Sequence, residues 1–452
     1  MPAPLLLLAW IGTAVAGNAR GNLFGSEAAL TGGAMGATTR AAEATWYNPA
    51  GLGGSDRTRL SVNLSAFVLR IRPFDALITT QLLDQTLQTP ADATQLVAIP
   101  SSISLVRRVS DRTALGIGVY VTSADRTNVI ASARDQVASP WAGTLYTRSL
   151  QLLSETQQYH LGLSFGTELP SERVRIGGSL MGVYDLAVSS QSFLANLQGT
   201  EQGQVRRATL DANDASTYNA IGIRSVVSVQ WEFVPSWHVG LVARTPVLGF
   251  YRWGKYSTSR LVTQDVEPTV EAAQTFLYED GRVDGTQAVQ VDPMRIALSF
   301  GVVRPTFSIG VEGEVAFGVV SDTSGQPRRV HGNVALGGRF RASERVWIGA
   351  GLFTDLSPFS EVTVLASTQD YFGGSLGTEI RNPIRARGRE DGVVFSTTFG
   401  LRYAAGVGTF GATLFDARLS AEVLDLESVL RVQPHELVFH ELSVLVGSSV
   451  AF

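Results

Sequence analysis

The sequence predicts an all-β fold: a transmembrane antiparallel β-barrel of about fourteen strands with an N-terminal hatch seated in its lumen. Three observations carry this expectation. Apolar and polar residues alternate with period two through most of the chain from Arg59 onward. The connections between those stretches alternate between tight turns and mostly long segments. Ahead of the first strand stands Gly25 to Gly54, rich in Gly, Ala and Thr, with too few large apolar residues for a core of its own. Small residues let a backbone approach other surfaces closely, so such a stretch needs a fitting container.

In chain order, residues 1–16 read as a signal peptide. Leu5 to Ile11 is its apolar region and Ala14-Val15-Ala16 its small-residue pattern, with cleavage near Ala16 or Ala19. A basic residue near Met1 is missing. The apolar run is shorter than the ~20 residues of a spanning helix. Residues 17–58 form the expected hatch and 59–452 the barrel.

Strands are expected near 59–70, 100–110, 112–124, 145–168, 172–190, 217–234, 236–246, 292–305, 306–320, 328–342, 344–356, 392–406, 408–424 and 436–452. Ser110-Asp111, Leu169-Pro170-Ser171, Val234-Pro235, Arg304-Pro305, Ala342-Ser343 and Gly406-Val407 read as tight turns. Segments 71–99, 125–144, 191–216, 247–291, 321–327, 357–391 and 425–435 read as external loops. Short turns on one rim and long loops on the other mark a membrane barrel, and a soluble sandwich, the competing fold, has no reason to sort them so. Trp231, Phe233, Trp237, Phe307 and Phe340 lie beside the short turns as one aromatic girdle; Phe250, Tyr251 and Trp253 fit the other. The chain ends in Phe452, an aromatic terminus of the kind read by the barrel assembly machinery. In the third strand Gly116 and Gly118 are candidates for an inward kink. The fourth shifts parity between Leu150, Leu152 and Tyr159, Leu161, Leu163, Phe165, and a bulge is the simplest explanation.

Net charge is −4 over 452 residues, which gives nucleic acid no purchase, and the absence of Cys excludes disulfides, thiolate metal sites and a Cys nucleophile. Gly406-Val407-Gly408-Thr409-Phe410-Gly411 matches a dinucleotide fingerprint in letters, but it lies in a hairpin turn running into a strand and not before a helix. The five His residues lack metal-ligand spacing, so neither metal nor cofactor is expected. Lumen-facing Arg173, Arg175, Asp185, Arg224, Glu232, Arg295, Glu312, Glu314, Arg339 and Arg341 read as charges that pair with each other and hold the plug. Asp265, Glu267, Glu271, Glu279, Asp280 and Asp284 make 247–291 an acidic, solvated loop.

Gly25-Ser26-Glu27-Ala28-Ala29 through Asn48-Pro49-Ala50-Gly51-Leu52 resembles the N-terminal hatch of the FadL/TodX family, the long-chain fatty-acid and hydrocarbon transporters of Gram-negative outer membranes. The motif spans about thirty residues, and strand number and topology extend the likeness. One departure stands out: Arg40-Ala41-Ala42-Glu43 occupies the place where the family often carries an acidic pair. The resemblance implies an outer-membrane protein that takes up a hydrophobic small molecule passively. Asn48, Pro49 and Ala50 would be the gate motif, and the ligand would leave laterally through the barrel wall. Leu23 and Phe24, just before the hatch, are candidates to touch ligand.

The expected partners are that ligand, outer-membrane lipid and lipopolysaccharide, and the assembly machinery through Phe452, with the protein a monomer. The rival readings are a general polar porin and a surface-binding barrel without transport. An enzyme comes last, no Gly-x-Ser-x-Gly elbow being present.

Overall fold

A computed structural model describes residues 23–82, 85–139, 141–170, 173–264, 273–285, 289–318, 328–359, 367–384, 392–419, 424–425 and 431–452. The signal expected in residues 1–16 and residues 17–22 of the expected hatch lie outside the described residues.

Fourteen antiparallel strands close into one barrel. They are β1 (Arg59–Leu82), β2 (Gln85–Arg108), β3 (Thr113–Gln136), β4 (Ala142–Glu168), β5 (Val174–Glu201) and β6 (Gln204–Val234). β7 comes in two pieces, Trp237–Arg244 and Val247–Gln264, divided by Pro246, which has no N–H to give the ladder. β8 comes in three pieces, Ala273–Gly285, Val289–Asp292 and Arg295–Val303. The rest are β9 (Phe307–Ala316), β10 (His331–Arg341), β11 (Val346–Asp355), β12 (Ser367–Ile384), β13 (Val393–Leu419) and β14 (Arg431–Ala451). β1 pairs with β14 from Arg59↔Ala451 to Ile71↔His440, which closes the cylinder.

The alternation in sequence becomes two faces. Leu115, Ile117 and Val119 of β3, Leu161, Leu163 and Phe165 of β4 and Leu298 of β8 are exposed on the outside, while Ser164, Arg175, Ser228, Ser299 and Glu312 are buried within. An apolar outside and polar inside is the arrangement lipid demands of a spanning barrel. Two aromatic belts bound it. Trp231, Phe233, Phe300 and Trp237 follow one another at centroid distances of 5.8, 5.9 and 5.3 Å near the short turns. Tyr159, Tyr184, Trp253 and Tyr251 follow at 6.2, 6.3 and 5.5 Å on the outer side.

Beyond the outer belt the strands run on, and the faces exchange. Segments 71–99, 125–144, 191–216 and much of 247–291, expected as loops, continue the strands on either side of short connections. Here Phe74, Leu77 and Ile78 of β1, Val129 of β3, Leu150 and Leu152 of β4, Phe193 and Leu197 of β5 and Leu210 of β6 form a buried apolar cluster. Outside the bilayer the outer surface meets water, so apolar side chains turn inward, each fully buried one contributing roughly 1.5–3 kcal/mol. This exchange corrects the expected bulge in β4. Even-numbered residues face inward throughout, and the pairing with β5 keeps register from Leu145 to Glu168. The surroundings change along β4; its register does not.

A second correction concerns the last strands. Gly406-Val407 is no turn: β13 runs through it, paired with β12 on one side and β14 on the other. A side chain on Gly406 would collide with the Phe439 ring, so the glycine makes room on an inner face. The compensating error is in 357–391, expected as a loop, which contains β12. Two mistakes of opposite sign left the strand number intact.

Candidate functional site

The N-terminal segment lies against the inner wall. It folds into α1 (Ser26–Thr31), α2 (Ala44–Tyr47) and a 3-10 helix, Pro49–Gly54. α1 stops at Gly32, whose φ of 60° is left-handed and whose N–H bonds back to Ala28. Asn48 caps the 3-10 helix: its Oδ1 accepts the Ala50 N–H at 3.1 Å while its Nδ2 donates to the Gly36 carbonyl. Pro49 takes the first helical position, where no donor is needed. The Ala50 N–H also donates to Ser228 Oγ of β6 at 2.9 Å. Asn48, Pro49 and Ala50 thus form one joint between segment and wall.

Backbone meets backbone at that joint because the wall is bare there. Gly177 of β5 and Gly166 of β4 face Pro49 and Ala50, and a Cβ on either would strike them. Gly337 of β10 and Gly351 of β11 face Thr31 in the same way. Polar ties complete the seat. Glu312 Oε2 accepts the Gly36 N–H at 2.9 Å, Gln230 Nε2 donates to the Ala37 carbonyl at 2.7 Å, and Arg244 Nη2 donates to the Tyr47 carbonyl at 3.2 Å. Glu27 pairs with Arg339. Other lumen charges serve one another: Asp292 is shared by Arg224, Arg295 and Arg328, and Glu314 pairs with Arg244 at 3.1 Å. The expected pairing does not extend to the whole set: Asp185 Oδ1 accepts from Gln158 Nε2 at 2.7 Å, Glu232 Oε1 accepts the Ser236 N–H at 2.8 Å, and Arg173 and Arg341, beside the short turns, are exposed.

The Arg40–Glu43 departure has a local use. Glu43 Oε1 accepts the Ser26 N–H at 3.0 Å at the start of α1, and Arg40 Nη2 lies 3.0 Å from His238 Nε2. Burial, with Glu27 adding to it, pushes the Glu43 carboxyl up from its ordinary value.

Leu23 and Phe24 are both buried. Leu23 packs on Gly33, and the Phe24 N–H donates to Tyr47 Oη at 3.1 Å. The Phe24 ring meets Trp46 at 4.9 Å and Tyr120 at 5.5 Å, and Trp46 meets His160 at 5.3 Å. Trp46, Tyr120 and His160 did not stand out in the sequence; Tyr120 and His160 belong to the inward series of strands whose outward series carries the apolar signal.

Directly above this aromatic ledge the wall divides. β2 pairs with β3 only from Arg108↔Ala114 to Ser102↔Tyr120. Beyond that, β2 stays with β1 as far as Gln85↔Leu82 and β3 stays with β4 as far as Gln136↔Leu145. Three irregularities mark the level: β1 slips past Ala66, β2 past Ser101 and β3 past Thr122. Above them β1 leaves β14, and Ile78 to Leu82 pair in parallel with Thr413 to Ala417 of β13. The β1–β2 hairpin has turned inward over the mouth, where Thr80 Oγ1 lies 3.2 Å from Tyr146 Oη and Thr89 Oγ1 accepts from Arg148 Nε at 2.7 Å, both on the inner face of β4.

Gly116 and Gly118 lie in unbroken register with both neighbours, so no bulge falls at them. Gly116 receives the Thr45 methyl group and Gly118 the Tyr120 ring. The break at Thr122 carries no glycine signal; its Oγ1 donates to Gln158 Oε1 at 2.6 Å. In the gap between β2 and β3 is a cavity of about 370 Å³. Among the described residues no group of His, Asp or Glu is arranged to hold a metal ion.

No family model matches the chain, and no curated sequence does. Solved structures do match. A Pseudomonas aeruginosa FadL homologue superposes with a TM-score of 0.58 at 12% identity, over 94% of this chain and 98% of that one. The P. putida toluene transporter TodX gives 0.54 at 13% identity over 95% and 99%. The Ralstonia pickettii toluene transporter TbuX gives 0.53 at 13% over 95% and 99%. The chain has the fold of these outer-membrane channels. At such identity the likeness is one of architecture, and the strand order, closure and span of the expected barrel agree with it.

Proposed function

We propose that this protein is an outer-membrane channel for passive uptake of hydrophobic small molecules, with lateral exit through the gap between β2 and β3. The observation that carries the reading is the end of the β2–β3 ladder at Ser102↔Tyr120, at the level of the outer aromatic belt. An apolar molecule that leaves through the wall enters lipid directly. Passage down an aqueous lumen would instead return it to water at roughly 0.8 kcal/mol per CH₂. The solved channels of this fold include toluene transporters, which supports an apolar ligand.

In this reading residues 17–58 are the hatch. Phe24, Trp46 and Tyr120 make the apolar ledge on which a ligand rests below the gap, and Leu23 supports it from beneath. Asn48, Pro49 and Ala50 anchor the hatch to β4, β5 and β6, so that its movement is transmitted to the wall. The chain acts as a monomer, exported by residues 1–16 and recognised through Phe452 by the assembly machinery.

The charged lumen, with Asp292 among three arginines, favours the rival of a polar diffusion channel. Two measurements separate them. Cells lacking the protein should lose uptake of a labelled long-chain or aromatic hydrocarbon, and the purified protein should give little steady conductance in planar bilayers. A large, salt-dependent conductance with unchanged hydrocarbon uptake would sink the proposal.

A further inference from the structure

The rim of short turns is basic. The β2–β3 turn and its flanks expose Arg107, Arg108 and Arg112, the β4–β5 turn Arg173, the β8–β9 turn Arg304, and the β10–β11 turn Arg341 and Arg345. Among the described residues they outnumber the exposed carboxylates of that rim, Asp56, Asp111 and Glu344, by more than two to one. The chain as a whole carries −4, so the surplus is local. At the opposite end the exposed charge is mixed, with Arg126, Arg207 and Lys255 set against Asp75, Glu279 and Asp280. Pairing within the rim leaves the surplus standing. Arg108 and Asp111, 2.9 Å apart, cancel one charge of each sign. Arg341 gives its donors to the Ser343 and Glu344 carbonyls at 3.2 Å each, and a neutral acceptor does not cancel its charge.

Position on the barrel decides what this charge meets. On β2, Ile103 and Leu105 are exposed on the lipid side, and Arg107 is the next residue of that series. The Arg304 guanidinium lies 5.8 Å from the centroid of the Phe307 ring, beside the belt of Trp231, Phe233, Phe300 and Trp237. Aromatic belts sit at the level of lipid headgroups, so an arginine one step beyond a belt stands among phosphates. The basic turns are also spread along the rim from β2 to β11. That spacing suits a layer of headgroups surrounding the barrel better than one docked protein.

We propose that the short-turn rim is a binding surface for anionic phospholipid in the leaflet that faces it. Arg107 and Arg304 meet the headgroups at the outer side of the wall, and Arg173 and Arg345 add to the field from below. Guanidinium offers paired N–H donors to two phosphate oxygens, and each basic residue near an anionic leaflet adds to the attraction. The surface holds the barrel at a fixed depth, with the lower aromatic belt at the headgroups. The inference rests on the outer-membrane placement proposed above, and not on the ligand or its route.

The test uses the full-length protein in phosphatidylcholine vesicles at low ionic strength. Spin-labelled phosphatidylglycerol and spin-labelled phosphatidylcholine are the probes, and the motionally restricted fraction of each reports lipid at the barrel wall. The wild type is expected to favour phosphatidylglycerol about fivefold, and high salt should reduce that preference. Combining Arg107→Gln, Arg173→Gln, Arg304→Gln and Arg345→Gln should bring the preference close to one. Arg207→Gln with Lys255→Gln, at the other end of the barrel, should leave it as in the wild type. Should the quadruple variant fail to assemble, Arg107→Gln with Arg304→Gln should lower the preference about twofold, and no fall would overturn the proposal. A wild type without preference overturns it too, as does a preference kept by the rim variants or lost in the external one. No lipid preference, together with rim-dependent binding of poly-glutamate, would overturn it in favour of an acidic protein partner. Failure of the wild type to insert as a heat-modifiable barrel would instead count against the outer-membrane placement.

Discussion

Arg72 of β1 bonds to Thr127 of β3 at 2.6 Å, although β2 stands between these strands in the sheet order. That contact is possible only because β2 has left β3 at Ser102. The gap in the wall and the hairpin over the mouth are two consequences of one displacement: a β2 that follows β1 inward cannot also complete the ladder to β3.

Breaking the cap at the segment's joint should loosen the segment without unmaking the barrel. Asn48→Ala with Pro49→Ala removes the acceptor of the Ala50 N–H and strips the buried Gly36 carbonyl of a donor, at about 1–2 kcal/mol. The expected result is normal heat-modifiable migration of the barrel, faster proteolysis within residues 23–58 and altered hydrocarbon uptake.

Glycines on the inner wall should differ sharply from glycines on the outer one. Gly337→Ala places a Cβ against the Thr31 carbonyl, whereas at Gly313 a Cβ meets nothing within 4 Å. Gly337→Ala is expected to unseat the segment and raise single-channel conductance in planar bilayers. Gly313→Ala should behave as wild type. Equal behaviour of the two would mean that bare wall is not what seats the segment.

Much of this was legible beforehand. Trp231, Phe233 and Trp237 located a belt, and Val234-Pro235 and Arg304-Pro305 located true turns; Asn48, Pro49 and Ala50, read as a gate motif, sit where the segment is bonded to the wall. The outer half was not. Period two in a membrane strand reports lipid on one side, and above the belt Leu150 and Phe193 answer to water instead, so the same rule points the wrong way. The division of the wall was hidden because Ala66, Ser101 and Thr122 are ordinary strand residues. Gly116 and Gly118, which advertise a kink, make space for Thr45 and Tyr120. Gly406 misled for the same reason, since a glycine that admits Phe439 looks in sequence like a glycine that turns a chain.

Seating of the segment should depend on pH through Glu43. Its carboxyl is raised in the folded state by burial and by Glu27, so the folded form holds the proton more tightly than the unfolded chain. This contribution is fully present below the ordinary carboxylate pKa and is lost as pH rises through the raised value. Protease protection of residues 23–58 should therefore decline with rising pH in the wild type. Glu43→Gln, which keeps the acceptor for the Ser26 N–H, should flatten that profile; an unchanged slope would assign the dependence to another group.

In the proposed function, ligand crosses the wall between β2 and β3. Continuing the register of Ser102↔Tyr120 would bring Thr94 opposite Asn128 in a closed wall, and both are exposed on the outer face. The native chain has no Cys, so Thr94→Cys with Asn128→Cys carries the only thiols. Joined by oxidation or by a short bis-maleimide, the pair should stop hydrocarbon uptake in cells, and reduction of the disulfide should restore it. Uptake that continues at the uncrosslinked rate with the bridge fully formed would contradict passage through this gap.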